Sequence, residues 1–342
     1  RGKENMKTKK WNVNPIDQQA MEEAARLLRD GETVAFPTET VYGLGADATN
    51  PQAVAKIFEA KGRPQDNPLI AHVATKEQLK ELVTEIPDYV EKIMERFSPG
   101  PITYVLPSSG ICADNVTAGL TTIGVRIPDH PVALALLRAT NRPVAAPSAN
   151  TSGKPSPTTA QHVWDDLQGK IAGIVDGGPT GVGVESTVID CTDRIPVILR
   201  PGGITKEQLE EVVDNVLIDP GLASQNKKPK SPGMKYRHYS PEAPLWLIHG
   251  DAGRIQAILN EEKNKGKRIA VLASEQTARR LDGQHITSLG ESMEEIAAHL
   301  YDALRKYKEG DIDLILCEGF QEDGIGQAVM NRLHKAASKV IH

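Results

Sequence analysis

One stretch of the chain lacks apolar periodicity and constrains the fold more than any other feature. Residues 218–241 are rich in Pro, Gly, Lys and Ser, a composition typical of a linker. Helical and strand patterns alternate on both sides of it, and 342 residues exceed one domain of about 150 residues. We therefore predict a first domain over 13–217, a linker over 218–243 and a second domain over 244–342.

The first domain interleaves short apolar runs with helical patterns. Interleaving of this kind predicts an α/β domain built around one twisted sheet. Strands are predicted at 33–38, 69–73, 102–106, 122–127, 144–146, 173–175, 186–190 and 197–199, and helices at 17–29, 50–61, 83–97, 131–140, 158–167 and 206–215. Asp17 and Asn50 are the expected N-caps of the first two helices, and Pro51 suits a first helical position.

The second domain shows a regular order of strand and helix patterns. This order predicts a small Rossmann-like parallel sheet with right-handed crossovers. Strands are predicted at 245–249, 268–273, 285–288 and 313–318, and helices at 252–265, 293–308 and 327–340.

Composition excludes several classes of protein. The three cysteines, Cys112, Cys191 and Cys317, form no CxxC pair, so we predict free thiols rather than a zinc module or a disulfide framework. The net charge of −5 argues against a wholly basic nucleic-acid-binding surface. No window is apolar enough to cross a bilayer and no signal-peptide layout is present, so we expect a cytoplasmic protein without membrane contact.

Polar side chains crowd the ends of apolar strands, whereas Walker A, HExxH and GxSxG motifs are lacking. The segment KGRPQDNPLIAHV places Lys61 and Arg63 at a helix end, where they either bind a ligand or complement the helix dipole. Arg126 lies within an apolar strand and needs a partner, either a protein carboxylate or an anionic ligand. Ser148 and Asn150 follow another strand with no capping role to explain them.

Taken together, these segments resemble one known family. PTETVYGLGADA, KGRP, PGPITYVL, GVRIP, PSAN, ESTV and RPG occur in this order from Pro37 to Gly202. They resemble the YrdC-type threonylcarbamoyl-AMP synthase family, and the segment PGMKYRHYSP with the domain after it resembles the family's long, two-domain form. The resemblance implies a YrdC-like mixed-sheet catalytic domain followed by the Rossmann-like domain.

The resemblance implies a nucleotidyltransferase reaction. L-Threonine, bicarbonate and ATP would give threonylcarbamoyl-AMP and pyrophosphate, with Mg²⁺ held mainly by the phosphates rather than by a protein cluster. Downstream tRNA threonylcarbamoyl-transferase proteins would then modify adenosine 37 in tRNAs that read ANN codons. This chemistry requires positioning and charge neutralisation more than a protein nucleophile.

Site residues also follow from the resemblance. The catalytic Lys-x-Arg and Ser-x-Asn elements are Lys61, Arg63, Ser148 and Asn150. The implied ATP-binding residues are Arg63, Asn67, Thr122, Ser148, Ser156, Arg200 and Tyr239. The implied threonine-binding residues are Thr40, His72, Arg126, Ala146 and Ser186, among which Arg126 suits the carboxylate. Tyr239 would place residues 231–241 across the pocket as a lid that excludes water.

Two other functions are compatible with parts of this sequence. A tRNA- or double-stranded-RNA-binding module without catalysis would show RNA affinity that falls steeply with salt, and weak RNA binding is compatible with a tRNA pathway. The related carbamoyl-transfer enzyme of hydrogenase maturation needs cysteine-rich zinc modules, which this sequence lacks.

Overall fold

A computed structural model describes residues 6–222 and 238–342. The chain divides into two compact units. The N-terminal unit comprises 1–152, 156–181 and 185–218, and the C-terminal unit comprises 153–155, 182–184 and 219–342. The predicted domain boundaries at 217 and 243 stay predictions. Most of the proposed lid, residues 231–237, lies outside the described residues.

The described residues of the N-terminal unit form a mixed sheet of eleven strands. Its order is β1-β8-β2-β3-β7-β4-β6-β5-β9-β10-β11. The strands are β1 (Lys9–Asn12), β2 (Val34–Pro37), β3 (Tyr42–Asp47), β4 (Ile70–His72), β5 (Ile102–Pro107), β6 (Thr122–Arg126), β7 (Val144–Ala145), β8 (Gly173–Asp176), β9 (Thr187–Asp190), β10 (Val197–Arg200) and β11 (Leu217–Ile218). Parallel pairs such as β4 with β6 alternate with antiparallel pairs such as β5 with β6.

Helices cover the sheet and supply the rest of the apolar core. They are α1 (Gln18–Arg29), α2 (Pro51–Lys61), α3 (Lys76–Leu82), α4 (Asp88–Phe97), α5 (Asp114–Thr117), α6 (Pro131–Thr140), α7 (Ala160–Leu167) and α8 (Lys206–Glu210). One core cluster lies between α2, α4, α7 and the sheet, and a second joins α1 and α6 to β2. Within the described residues, every helix is too short or too polar to cross a bilayer.

The ends of α2 follow from its local sequence. Asn50 accepts hydrogen bonds from the backbone N–H groups of Gln52 and Ala53, and Pro51 occupies the first turn. Gly62 ends the helix in the left-handed region with φ of 66°, a conformation that glycine adopts at little cost. The predicted helix is therefore confirmed, and its end sets the direction in which Lys61 and Arg63 leave it.

The structure corrects several elements of the sequence prediction. The elements β1, β11, α3 and α5 were not predicted, and the helix expected over 206–215 ends at Glu210. Residues 83–97 were expected to form one helix, but α4 begins only at Asp88. Pro87 cannot donate an intrahelical hydrogen bond and disfavours a helical residue before it, which separates α4 from α3, a helix that the sequence prediction missed. The strand β3 was also missed, because Gly43 and Gly45 weaken its strand propensity, although each of its residues is buried.

The described residues of the C-terminal unit form an all-parallel sheet of five strands, which confirms the predicted fold class. Its order is β14-β13-β15-β12-β16, and each neighbouring pair of strands is parallel. The strands are β12 (Leu245–Ile248), β13 (Ile269–Ala273), β14 (His285–Ser288), β15 (Leu314–Glu318) and β16 (Lys339–Ile341), and the helices are α9 (Ala252–Asn264), α10 (Glu275–Ala278), α11 (Met293–Lys306) and α12 (Gly326–Ala336). The last strand, β16, replaces the end of the helix predicted over 327–340.

Candidate active site

Lys61 joins the end of α2 to the segment after β7. Its Nζ donates to the backbone oxygens of Ser148 (2.5 Å) and Asn150 (2.7 Å). The side chain is 3% exposed, so both hydrogen bonds lie in a dry environment where a charged donor is strong. Three of the four predicted catalytic residues therefore meet, although 87 positions separate Lys61 from Ser148.

Arg63 lies at the same end of α2, directly after Gly62. Its Nη2 donates to the backbone oxygen of Pro68 at 3.1 Å and lies 3.5 Å from that of Asn67. Arg63 thus holds the loop that leads into β4. The dipole interpretation of these two cations does not account for these contacts, because both side chains donate to backbone carbonyls outside α2.

Arg126 forms the centre of a second group. Its Nε donates to the Gly100 oxygen and its Nη1 to Thr40 Oγ1, each at 3.2 Å. Its Nη2 donates to Glu39 Oε1. The sequence left open whether the partner of Arg126 is a protein carboxylate or a ligand. The structure provides a carboxylate, and the guanidinium group keeps N–H groups that could also bind a ligand. Three of the five guanidinium N–H groups are used in these bonds.

His72 lies beside Arg126 because the two residues pair in the β4–β6 ladder. Burial, followed by the nearby Arg126 charge, lowers the pKa of His72 from 6.5 to about 3. The imidazole is therefore neutral at physiological pH. Its Nδ1 lies 3.0 Å from the Ile70 oxygen, and the backbone of Val144 also forms a hydrogen bond with the ring.

Ser186 and Arg200 form a third group at the start of β9 and the end of β10. Arg200 donates from Nε and Nη2 to the Ser186 oxygen, at 3.1 and 2.9 Å, and from Nη2 to Ser186 Oγ at 3.1 Å. Ser186 Oγ also lies 2.8 Å from Thr103 Oγ1. Gly202 allows this close packing, because a Cβ there would stand 2.4 Å from the backbone of Glu185 and Thr187.

Ser156 reaches the same region through Glu185. Its hydroxyl donates to Glu185 Oε2 at 2.8 Å, and both residues are buried. Glu185 directly precedes Ser186, so the bond places a predicted ATP-binding residue beside a predicted threonine-binding one.

Not every predicted residue takes part in these groups. Thr122 begins β6 opposite Pro107, and Ala146 donates its backbone N–H to the Ile70 oxygen. Within the described part of the chain, the Thr122 side chain makes no hydrogen bond to another predicted site residue, and the methyl group of Ala146 cannot make one. Tyr239 belongs to the C-terminal unit, where its ring stacks on Tyr301 at 5.4 Å and the Arg332 guanidinium lies 5.9 Å from it. Its contact with ATP stays a prediction.

Sequence reasoning missed two side chains of the site. Glu39 pairs with Arg126, and Thr103 pairs with Ser186. Each stands within a segment that carried the family resemblance, PTETVYGLGADA and PGPITYVL. That membership was the available signal, but no pattern along the chain names the residues that they contact.

Comparison with known proteins decides the family. A family model described as "Telomere recombination" matches residues 26–202, and one described as "Threonylcarbamoyl-AMP synthase, C-terminal domain" matches residues 204–338. A threonylcarbamoyl-AMP synthase of Bacillus subtilis is 54% identical over 97% of this chain and 98% of its own length. This chain belongs to the threonylcarbamoyl-AMP synthase family.

Members of the threonylcarbamoyl-AMP synthase family that resemble this chain include a yeast protein and a protein of known structure. The Schizosaccharomyces pombe protein is 42% identical over 94% of this chain and 89% of its own. The crystal structure of P. abyssi Sua5 complexed with L-threonine matches with a TM-score of 0.90 and 46% identity, covering 98% of both chains. The predicted family and its enzymatic character are confirmed, and the alternative of a non-catalytic RNA-binding module is disfavoured.

Proposed function

We propose that this chain is an L-threonylcarbamoyladenylate synthase that joins L-threonine, bicarbonate and ATP. The threonine amine and bicarbonate give a carbamate and water. A carbamate oxygen then bonds to the α-phosphorus of ATP while the bond from that phosphorus to the bridging oxygen breaks, and pyrophosphate leaves.

The observation that carries the proposal is the meeting of cations and hydroxyls from distant segments in one unit. Lys61 is fixed beside Ser148 and Asn150, and Arg200 beside Ser186. Fixed donors suit a reaction in which negative charge moves onto pyrophosphate, because they need little reorganisation as that charge develops. None of the residues in these groups needs to act as a nucleophile.

In this proposal the substrates divide between the groups of residues. The nucleotide is bound by Arg63, Asn67, Thr122, Ser148, Ser156, Arg200 and Tyr239, with Lys61 and Asn150 near its phosphates. Threonine is bound by Thr40, His72, Arg126, Ala146 and Ser186. A neutral imidazole has one donor and one acceptor nitrogen and the Thr40 hydroxyl can donate or accept, so either His72 or Thr40 suits the amine or the hydroxyl of threonine.

Magnesium enters the proposal with ATP. The described residues contain no group of three or more His, Cys, Asp or Glu side chains that could hold a metal ion. A cation that is bound mainly through substrate phosphates and water, as Mg²⁺ commonly is, fits this donor set. It would neutralise phosphate charge, while the chain's own cations position the nucleotide.

The product's destination is also part of the proposal. Threonylcarbamoyl-AMP would pass to tRNA threonylcarbamoyl-transferase proteins that modify adenosine 37 in tRNAs reading ANN codons. A cytoplasmic location suits that role, and weak RNA binding is compatible with it.

Pyrophosphate release tests the function and the Arg126 assignment together. The protein is mixed with ATP, bicarbonate and each amino acid in turn, and threonine is expected to give the fastest release. Arg126→Lys keeps the charge that Glu39 needs but loses the planar fork. We expect this variant to lose about 10- to 100-fold in kcat/KM for threonine, with little change in ATP affinity.

Arg142→Ala is the matched control, because Arg142 pairs with Asp47 and touches no residue of the groups above. Its preference for threonine should equal that of the unmodified protein. An Arg126→Lys protein that retains full preference for threonine would contradict the carboxylate assignment. Equal release with every amino acid by the unmodified protein would contradict the function.

A further inference from the structure

Glu39 is the acidic side chain bound directly to Arg126, and the family resemblance assigned it no role. Oε1 accepts from Arg126 Nη2, and Oε2 accepts from the backbone N–H of Asp129 at 2.6 Å. The Glu39 side chain is 13% exposed and that of Arg126 4%. The carboxylate is thus held at both oxygens and remains the more accessible member of the pair.

The unused N–H groups of Arg126 define where a substrate carboxylate would bind. Of five N–H groups, Nε–H bonds to Gly100, one on Nη1 to Thr40 and one on Nη2 to Glu39. Each terminal nitrogen therefore keeps one further N–H. A carboxylate bound to these two would share Nη2 with Glu39, so two negative groups would approach one another at a single nitrogen.

Such an approach is unfavourable unless a cation lies between the two carboxylates. In an α-amino acid, the ammonium group is attached to the carbon that bears the carboxylate. An amino acid held by Arg126 therefore carries its own cation to the side of Glu39. Glu39 uses two of about four lone-pair positions in the bonds described, and the rest can accept from an ammonium group.

The other ionisable groups named above differ from Glu39 in charge or in contacts. Lys61, Arg63 and Arg200 are cations. His72 is neutral, so it can accept a hydrogen bond from an amine but does not balance the charge of an ammonium group. Glu185 is buried and accepts a hydrogen bond from Ser156.

We infer that Glu39 binds the α-ammonium of the amino acid whose carboxylate Arg126 holds, so that the pair selects a zwitterionic α-amino acid. The inference rests on the proposed function, because it requires the carboxylate on Arg126. It adds a specificity residue that favours amino acids over the corresponding hydroxy acids.

Two ligands separate this role from simple support of Arg126. One is L-threonine, and the other is 2,3-dihydroxybutanoate, which carries a hydroxyl in place of the ammonium. Calorimetry gives the affinity of each for the full-length protein and for Glu39→Gln. We expect the variant to bind threonine about 10- to 100-fold more weakly, because a charge-assisted hydrogen bond is lost. Its affinity for the hydroxy acid should be unchanged or higher.

Equal weakening of both ligands in Glu39→Gln would overturn the inference, since it would mean that Glu39 only orients Arg126. Unchanged threonine affinity would overturn it as well. Glu39→Asp retains a carboxylate and should keep the preference for threonine over the hydroxy acid, even where both bind more weakly. Loss of that preference in Glu39→Asp, with binding of the hydroxy acid retained, would count against the inference.

Two further variants complete the test. Asp47→Asn changes another buried, arginine-paired carboxylate to an amide, and it should leave both affinities unaltered. Arg126→Lys should weaken both ligands. If Arg126→Lys weakens neither, the proposed carboxylate site is wrong, whereas a normal Arg126→Lys result with no selective effect of Glu39→Gln refutes only the role of Glu39.

Discussion

At the scale of single residues, the site depends on buried charges that find partners far away in sequence. Arg126 reaches Glu39 across 87 positions, and Lys61 reaches Asn150 across 89. A buried charge without a partner is costly. The presence of Arg126 in an apolar strand therefore predicted that a partner exists, although it did not predict which one.

His72 provides a prediction about pH and stability. Its folded-state pKa of about 3 lies below the unfolded value of 6.5, so the unfolded chain binds more protons between these values. Stability is therefore complete above about pH 6.5 and falls as the pH decreases toward 3. From pH 7.5 to pH 5, the loss due to this one group is on the order of 2 kcal/mol.

Urea unfolding of the His72→Gln variant at both pH values measures this effect. The variant should show a smaller loss of unfolding free energy on acidification than the unmodified protein. His285→Gln, which replaces an exposed histidine of the C-terminal unit, serves as the control and should follow the unmodified protein. An equal loss in the His72 variant would mean that His72 does not contribute to acid sensitivity.

At the scale of elements, the close packing of the segment after β10 against the start of β9 positions Arg200 on Ser186. Gly202 makes this packing possible, because an added Cβ would lie 2.4 Å from backbone atoms that cannot move without shifting β9. The glycine of the motif RPG is therefore needed for steric reasons, whereas the arginine supplies the contact with Ser186.

We expect Gly202→Ala to cost about 1–3 kcal/mol of unfolding free energy, as overpacking of a dense site commonly does. Nucleotide affinity should fall as well, because Arg200 is displaced. Gly181→Ala is the matched control, since a Cβ there meets no atom within 4 Å. Denaturant unfolding and nucleotide titration measure both effects. Equal stability of the two variants would exclude this steric role.

In the C-terminal sheet, a carboxylate at the end of one strand binds two donors of a neighbouring segment. Glu318 ends β15 and accepts from the Ser274 backbone N–H at 2.8 Å and from the Thr277 hydroxyl. Both donors lie at the start of α10, on the edge of the sheet where doubly wound folds bind phosphates. A protein carboxylate therefore occupies those donors, which gives Glu318 a structural role at this edge of the sheet.

At the scale of the whole molecule, the three cysteines are free and buried, as predicted. Burial, followed by the charge of Asp47, raises the pKa of the Cys112 thiol to about 11. Burial also raises the pKa of Cys191 and of Cys317. The thiolate is the reactive form, so each thiol should be unreactive while its own unit remains folded.

Labelling with a disulfide reagent at pH 8 measures this protection. At that pH only about one Cys112 side chain in a thousand would be ionised. We expect the folded protein to react at least about 100-fold more slowly than the denatured chain, which should titrate three thiols. Free cysteine under the same conditions calibrates the reagent. A thiol that reacts rapidly in the folded protein would contradict the packing of its unit.

The sequence by itself determined the class of fold, most element positions and the family. Caps such as Asn50 and the apolar periodicities act within a few residues, so they can be recognised along the chain, and the motifs from Pro37 to Gly202 are specific in combination. The prediction failed where local propensity disagreed with the tertiary environment. The glycines of β3 disfavour a strand, but burial in the sheet outweighed that propensity.

Only the tertiary structure decided which side chains meet. The pairing of Glu39 with Arg126 and of Ser156 with Glu185 depends on the order of eleven strands and on the paths of the loops between them. Strand order is set by packing and chain connectivity across the whole unit, which periodicity does not encode. The motifs therefore predicted candidate site residues, whereas the partners of those residues, and with them the inferred role of Glu39, required the folded molecule.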